Sequence, residues 1–399
     1  MISVSEARRI IREHTFPLPP SRLPLLQASG LALASDVHAP VPVPAFLQSS
    51  MDGYAFAHEG WNPSEPLPVS GTIAAGEAGQ TPLVPGTAVR IFTGAPLPPG
   101  ADTVVMQEKT RVEGGQLWID DPTLGRGAYV RLPGSEISKD ALALPVRAIL
   151  NPPALGFLAH LGIAEVTVFP RPRTSLVVTG NELQTPGMAL GPGQVYEAGS
   201  FALSAALGTL DMHPVHILRA PDELDALSAL LDQALEASDL VFLTGGVSVG
   251  DFDFGPRAAA HCGVTQVFHG VRQRPAKPLY FGQKDGKYVF GLPGNPASSL
   301  TAFYEYGLPA LGAMTRLPLR MPAMKVPLAS PFRKPAGLTH FLKGLYDGET
   351  VTVLGGQESY RLSSFARANC LIQLDEDVTS CPEGEVVEIH LLPAWSGLS

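Results

Sequence analysis

The chain has 399 residues, enough to bury a large core and to form two to four domains. With 45% apolar and 16% charged residues it reads as a folded protein, and its 41 glycines and 39 prolines, spread throughout, point to tight turns. A formal net charge of −9 argues against a nucleic-acid backbone as partner.

In chain order, MISVSEARRIIREH comes first, with charges where a secretory signal needs an apolar core. Ser3 and Glu6 have capping-box spacing and Ile2 the place of a staple residue, which predicts a helix from Ser3 to His14. From about Phe46 to Ile137 the pattern is strand and turn, with TAVRIFTG and ADTVVMQE separated by the rigid APLPPGA. NPPALGFLAHLG predicts a helix capped by Asn151 with Pro152 in its first turn.

The pattern then changes. RTSLVVTG, HPVHILRA, DLVFLTGG and KYVFGLPG are short apolar strands, with helical stretches between them. The clearest helix has Leu224, Leu227, Leu231 and Leu235 at helical spacing. Such alternation predicts a parallel sheet whose strand-end loops bind ligands. After about Arg320, TVTVLGG, NCLIQL and EVVEIHLL predict a small β domain. No segment approaches the roughly 20 apolar residues of a membrane span. Cys262, Cys370 and Cys381 form no CxxC pair, so a reducing, cytoplasmic setting is expected.

Three strand-end loops carry candidate chemistry. Gly245 to Gly250 follows a strand and precedes a helix, an arrangement that exposes backbone N–H groups to an anion. It is followed by Asp251 where a Walker A loop needs lysine. Asp251 and Asp253 would repel a phosphate unless a divalent cation lies between, and Mg²⁺ suits carboxylates plus phosphate oxygens. Equally, those aspartates could simply cap the next helix. TGNEL places Glu182 on the same sheet edge. GLPGNPASS makes Asn295 a helix cap and Pro296 the first helical residue, with Ser298 and Ser299 beside them. Asp52 in SSMDGYAFA and Thr93 in RIFTGAPLPPGADTVVMQE read equally well as turn residues. The ten histidines show no paired metal spacing.

SSMDGYA, FTGAPLPPGADTVVMQE, TGNEL, LTGGVSVGDFDF, GLPGNPASS and LSSFARANCLI together resemble the molybdopterin molybdenumtransferase family, which includes bacterial MoeA and the gephyrin E domain. The resemblance implies a mixed α/β and all-β homodimer of four domains per chain. Residues 1–45 with 138–170 would form an elongated linker domain and 46–137 a β-rich domain. Residues 171–320 would form a MogA-like parallel α/β domain that binds molybdopterin, and 321–399 a small β-barrel domain.

The implied reaction replaces AMP on adenylylated molybdopterin with molybdate, with Mg²⁺ as cofactor. The molybdopterin adenylyltransferase and molybdoenzyme acceptors would be partners. By the same resemblance, Asp253 and Glu182 face the metal, Ser248 faces molybdate, and Lys277 completes the catalytic group. Gly245, Gly246, Gly250, Asp222, Arg274, Pro293, Asn295, Pro296 and Ser298 bind substrate, while Asp52 and Thr93 reach into the partner subunit's cleft.

The chain departs from the family pattern at several points. Arg274-Pro275-Ala276-Lys277-Pro278 stands where Lys-Pro-Gly-Lys-Pro is usual, and Gly270 where a further lysine is usual. Ser135-Glu136 replaces Glu-Asp, and Glu197-Ala198-Gly199 replaces Asp-Ser/Thr-Asn. The register of Asp222 with the family aspartate allows a shift. Arginine does not reproduce a lysine's point charge. A molybdopterin-binding or scaffold homologue with low turnover is therefore the alternative to an active transferase.

Overall fold

The computed structural model describes residues 1–77, 81–247 and 254–393. These form two units, Met1–Ser21 with Phe169–Ser399, and Arg22–Val168.

The larger unit is built on a six-stranded sheet ordered His216–Ala220, Thr174–Thr179, Leu240–Thr244, Lys287–Leu292, Tyr280–Lys284, Thr265–His269. The first four strands run parallel, as their alternation with helices predicts. Tyr280–Lys284 runs antiparallel to both of its neighbours, so the sheet is mixed rather than wholly parallel. The reason is a two-residue hairpin at Asp285-Gly286, where both residues have positive φ (50° and 77°), the geometry that Asp-Gly favours.

Strand residues alternate between two cores, because successive side chains leave a sheet on opposite faces. Leu176, Leu240, Phe242 and Phe290 pack with Ile11, Leu203, Phe303 and Tyr306. Val177, Val241, Leu243 and Val289 pack with Leu227, Leu231 and Leu235 on the other side. Full burial of each such side chain contributes about 1.5–3 kcal/mol. The helix Leu224–Ala237 thus buries the leucine stripe that announced it. The helix Val4–His14 is capped as its sequence predicts, with Ser3 Oγ accepting from the Glu6 N–H at 3.1 Å.

One long helical stretch closes this part of the fold. It runs through Pro296–Ala302, a π-helical turn at Phe303–Gly307, and Leu308–Thr315. Pro309 lacks the N–H that an unbroken α-helix would donate to Glu305. The wider turn accommodates it, with the Leu308 N–H donating to the Phe303 carbonyl. A second sheet follows, ordered Gln273–Arg274, Thr339–Tyr346, Cys370–Leu374, Val386–Leu391, Ala323–Pro327, with Val351–Val353 beside Thr339–Tyr346. Its first strand is lent by the segment between Thr265–His269 and Tyr280–Lys284, pairing Arg274 with His340.

In the smaller unit, Gly53–Phe56 lies between Thr103–Met106 and Ala88–Ile91, antiparallel to both. Leu67–Ile73, Gln116–Ile119 and Thr110–Glu113 complete six strands. Gly53 has no substitute here, since a Cβ would lie 1.8 Å from the Val105 carbonyl oxygen. A separate core gathers Leu31, Leu33, Leu150, Leu158 and Val168, with Leu158 supplied by the helix Pro152–His160. Asn151 caps that helix, accepting from the Ala154 N–H at 3.0 Å.

Candidate active site

A cavity of about 1000 Å³ opens where the four parallel strands end. Thr179, Asp222, Gly245 and Pro293, each at or just beyond the C-terminal end of one strand, line it. Such strand ends are where open α/β sheets bind ligands, because the diverging loops leave a crevice between them.

Each loop has a local reason for its path. Gly245 has φ +88°, and a Cβ there would lie 2.3 Å from the Thr179 carbonyl oxygen, so the chain passes only as glycine. Gly246 follows at φ +57°, and Val247 is anchored by His269, whose Nε2 lies 2.8 Å from its carbonyl oxygen. Ser248, Gly250, Asp251 and Asp253 lie outside the described residues.

Glu182 lines the cavity, exposed, with no hydrogen-bond partner for its carboxylate among the described residues. Asp222 also lines it, but its carboxylate is committed to the neighbouring loop. It accepts from the Thr179 hydroxyl at 2.5 Å and from the Asn181 N–H at 3.1 Å. The Asn181 side-chain Oδ1 in turn accepts from the Asp222 N–H at 3.2 Å. Asp222 therefore staples TGNEL to the next strand end at the edge of the cavity.

Glu197 is buried at the cavity wall and caps the helix Gly199–Gly208. Its two oxygens accept from the Ser200 N–H at 2.7 Å and the Ser200 hydroxyl at 2.5 Å.

Two cations complete the polar wall. Arg274 and Lys277 are exposed on one turn, and their side chains have no hydrogen-bond or ion-pair partner among the described residues. His340, beside Arg274, is held at a pKa of about 4, chiefly by burial and further by the charges of Lys334 and Arg274. It therefore stays neutral near neutrality and adds no charge to this wall.

Pro293, Asn295, Pro296 and Ser298 all line the cavity. Pro296 begins its helix as the sequence predicts. Asn295 occupies the cap position by backbone alone, because its side-chain amide donates instead to Ser359 Oγ at 3.0 Å. Ser299 is turned inward, its hydroxyl bonded to the Pro293 carbonyl. Ser298 is left with no hydroxyl partner among the described residues.

The opposite wall escaped the sequence reading. Gln357, Glu358, Ser359 and Tyr360, from the loop after Val351–Val353, line the cavity together with Gln273. That loop is held by Lys343, a buried ammonium that donates to the carbonyls of Gly356 (2.6 Å), Glu358 (3.2 Å) and Arg361 (3.2 Å). Burial lowers its pKa, with the Glu358 carboxylate opposing that shift, and the carbonyl bonds satisfy its buried donors. No local pattern in GGQESYR marks it, since the loop owes its place to a lysine more than ten residues away.

In the smaller unit, Asp52 and Thr93 meet across 41 residues. One Asp52 oxygen accepts from both the N–H and the hydroxyl of Thr93, each at 2.7 Å. These bonds hold the Asp52 carboxyl below its usual range, the backbone N–H foremost. Exposed Met51 and Phe92 flank the pair in sequence. Glu136 lies apart from it, 3.7 Å from His160.

Among the described residues no group of three or more His, Cys, Asp and Glu could hold a metal ion, and no helix is long and apolar enough to cross a membrane.

Three family models match the chain. Residues 2–162 match the MoeA N-terminal region (domain I and II), residues 175–313 a probable molybdopterin binding domain, and residues 325–392 the MoeA C-terminal region (domain IV). Molybdopterin molybdenumtransferase 2 of Mycobacterium tuberculosis is 35% identical over 406 residues, covering 98% of this chain and 99% of that protein. The molybdopterin molybdenumtransferase of Haemophilus influenzae is 32% identical, covering 98% and 100%. A crystal structure of the molybdopterin biosynthesis MoeA protein from Pyrococcus horikosii, 29% identical, superposes with a TM-score of 0.83 over 99% of this chain and 100% of that one. The chain belongs to the molybdopterin molybdenumtransferase (MoeA) family.

Proposed function

We propose that this protein inserts molybdate into adenylylated molybdopterin, releasing AMP and forming molybdenum cofactor. The observation that carries this reading is the cavity at the parallel strand ends. There, among the described residues, two cations, one carboxylate and a serine hydroxyl without side-chain partners line one cavity in a chain of this family.

Arg274 and Lys277 are suited to the diphosphate of the substrate, since guanidinium and ammonium donors match its oxygens and offset its charge. Ser298 is suited to gripping an oxyanion, and Ser248 and Gly250 belong to the loop we assign to the same task. Fixed donors that meet charge as it develops supply most of the acceleration in such a transfer.

Mg²⁺ fits the donor set in part: Glu182 offers a free carboxylate, Asp253 is its proposed companion, and Mg²⁺ takes one or two carboxylates plus phosphate oxygens. Bound there, it would neutralise charge on the anhydride as AMP departs. We further read the protein as a cytoplasmic homodimer in which Asp52 and Thr93 serve the partner subunit's cleft. Three buried cysteines that remain free thiols suit a reducing compartment.

A second reading, a low-turnover molybdopterin-binding or scaffold protein, draws on Glu197, whose carboxylate is spent on a helix cap. One assay separates the two. Purified protein given adenylylated molybdopterin and molybdate should release AMP in proportion to molybdate, and Lys277→Ala should raise KM roughly tenfold by losing one charge-assisted bond. Tight binding of the substrate without molybdate-dependent AMP release would favour the scaffold reading instead.

A further inference from the structure

The turn that carries Arg274 and Lys277 has an unusual support. It is closed at its base by the Val271 N–H donating to the Lys277 carbonyl at 2.9 Å and the Gly270 N–H donating to the Leu279 carbonyl at 2.8 Å. At its tip Ala276 sits at φ +61°, a left-handed conformation that a residue with a Cβ adopts only at a cost. Something must hold Ala276 there, and the buried side chain of Gln273 does so. Its amide Nε2 donates to the Ala276 carbonyl at 3.1 Å from inside the turn. Its carbonyl oxygen accepts from the hydroxyl of Tyr306, which is likewise fully buried.

Tyr306 belongs to the π-helical turn and does not itself line the cavity, but its hydroxyl bonds Gln273, which does. Both residues are wholly inaccessible, so their polar atoms have no water to fall back on. The chain of bonds is thus rigid: π-turn hydroxyl, Gln273 amide, Ala276 carbonyl, and on either side of Ala276 the two cations.

Resting on the function proposed above, we propose that Tyr306 and Gln273 are positioning residues of the transferase, a buried pair that enforces the left-handed turn aiming Arg274 and Lys277 at the substrate diphosphate. Neither touches substrate. Their effect is on where the cations stand, and hence on binding more than on the chemical step. Because the pair compensates for a Cβ at position 276, its importance should vanish when that Cβ is removed.

The test is a cycle of Tyr306→Phe, Ala276→Gly and the double variant, with Gln273→Leu as a second way to break the pair. Amide hydrogen exchange of residues 270–279 reads the turn directly, without ligand. Tyr306→Phe should speed exchange at Gly270 and Val271 about tenfold while the strand Leu240–Thr244 stays protected, as expected when local opening is eased. Steady-state AMP release should show KM raised about fivefold with kcat within about twofold. Adding Ala276→Gly should return exchange and KM to within about twofold of Ala276→Gly alone, the non-additivity of a coupled pair.

Unchanged exchange in both Tyr306→Phe and Gln273→Leu would overturn the proposal, as would a double variant no better than Tyr306→Phe. Absence of molybdate-dependent AMP release from the wild-type protein would instead defeat the functional reading. The exchange cycle would still decide the role of the pair in the turn.

Discussion

Glu182 and Glu197 border the same cavity, yet the environments of their carboxylates differ completely. Glu182 is exposed and unpaired among the described residues, whereas Glu197 is buried with both oxygens bonded to Ser200. We therefore expect opposite outcomes from the same substitution. Glu182→Gln should lower AMP release at least ~10²-fold with little change in unfolding midpoint, since it removes charge from the proposed transfer site. Glu197→Gln should cost about 1 kcal/mol of stability in urea unfolding, the ordinary worth of a helix cap, with turnover within a few-fold. Equal losses of activity in the two would refute this division. Glu182 was legible because an apolar strand ending in Thr-Gly announces its own edge. Glu197 was not, because a glutamate one residue before the cap position, reaching past Ala198, matches no usual capping pattern. Asp222 was legible as a strand-end residue, but its bonds to Thr179 and Asn181 were not, because they depend on how two strands align.

Among the elements, those that bury a regular stripe could be read from sequence and those shaped by long-range partners could not. The helix Leu224–Ala237 and the strands Thr174–Thr179, Leu240–Thr244 and Lys287–Leu292 carry their own periodicity. The antiparallel edge depended on one Asp-Gly dipeptide, and the π-helical turn on a proline two residues beyond it. That turn also places buried Glu305 against Arg8, whose Nη2 donates to it, and against His390 Nδ1 at 2.7 Å. Glu388 lies 3.1 Å from His390 Nε2, so the ring stands between two carboxylates. Burial lowers the pKa of His390, but its bonds to Glu305 and Glu388 outweigh that and the net shift is upward. Protonated His390 therefore stabilises the fold at pH below the unfolded value near 6.5, and that contribution is lost as pH rises through its raised folded value. His340 has the opposite sign: with its pKa lowered to about 4, stability is lost as pH falls from 6.5 towards that value. Urea unfolding followed against pH should show an acid limb that His340→Gln flattens and an alkaline limb that His390→Gln flattens. Limbs unchanged by both substitutions would sink this assignment.

At the scale of the whole molecule, the cavity belongs entirely to the larger unit, and the Asp52–Thr93 pair to the smaller one. Sequence motifs in both units matched one family, but motif order cannot say whether residues of one chain act together or across two. The proposed homodimer, with Asp52 and Thr93 serving the other subunit, makes a sharp prediction. Asp52→Ala and Glu182→Gln should each be nearly inactive alone. Co-expressed with different affinity tags and purified as the mixed dimer, they leave one cleft in which Glu182 of one chain meets Asp52 of the other, both intact. The second cleft then carries both substitutions. Mixed dimers should recover about half the wild-type AMP release per dimer, because two-fold symmetry makes the two clefts equivalent and independent. If instead each chain supplies its own Asp52, every cleft in the mixed dimer carries one defect and activity stays at the level of the single variants. Recovery also requires that the chains associate, so wild-type protein that stays at about the mass of one 42.1 kDa chain in solution would by itself defeat the shared cleft.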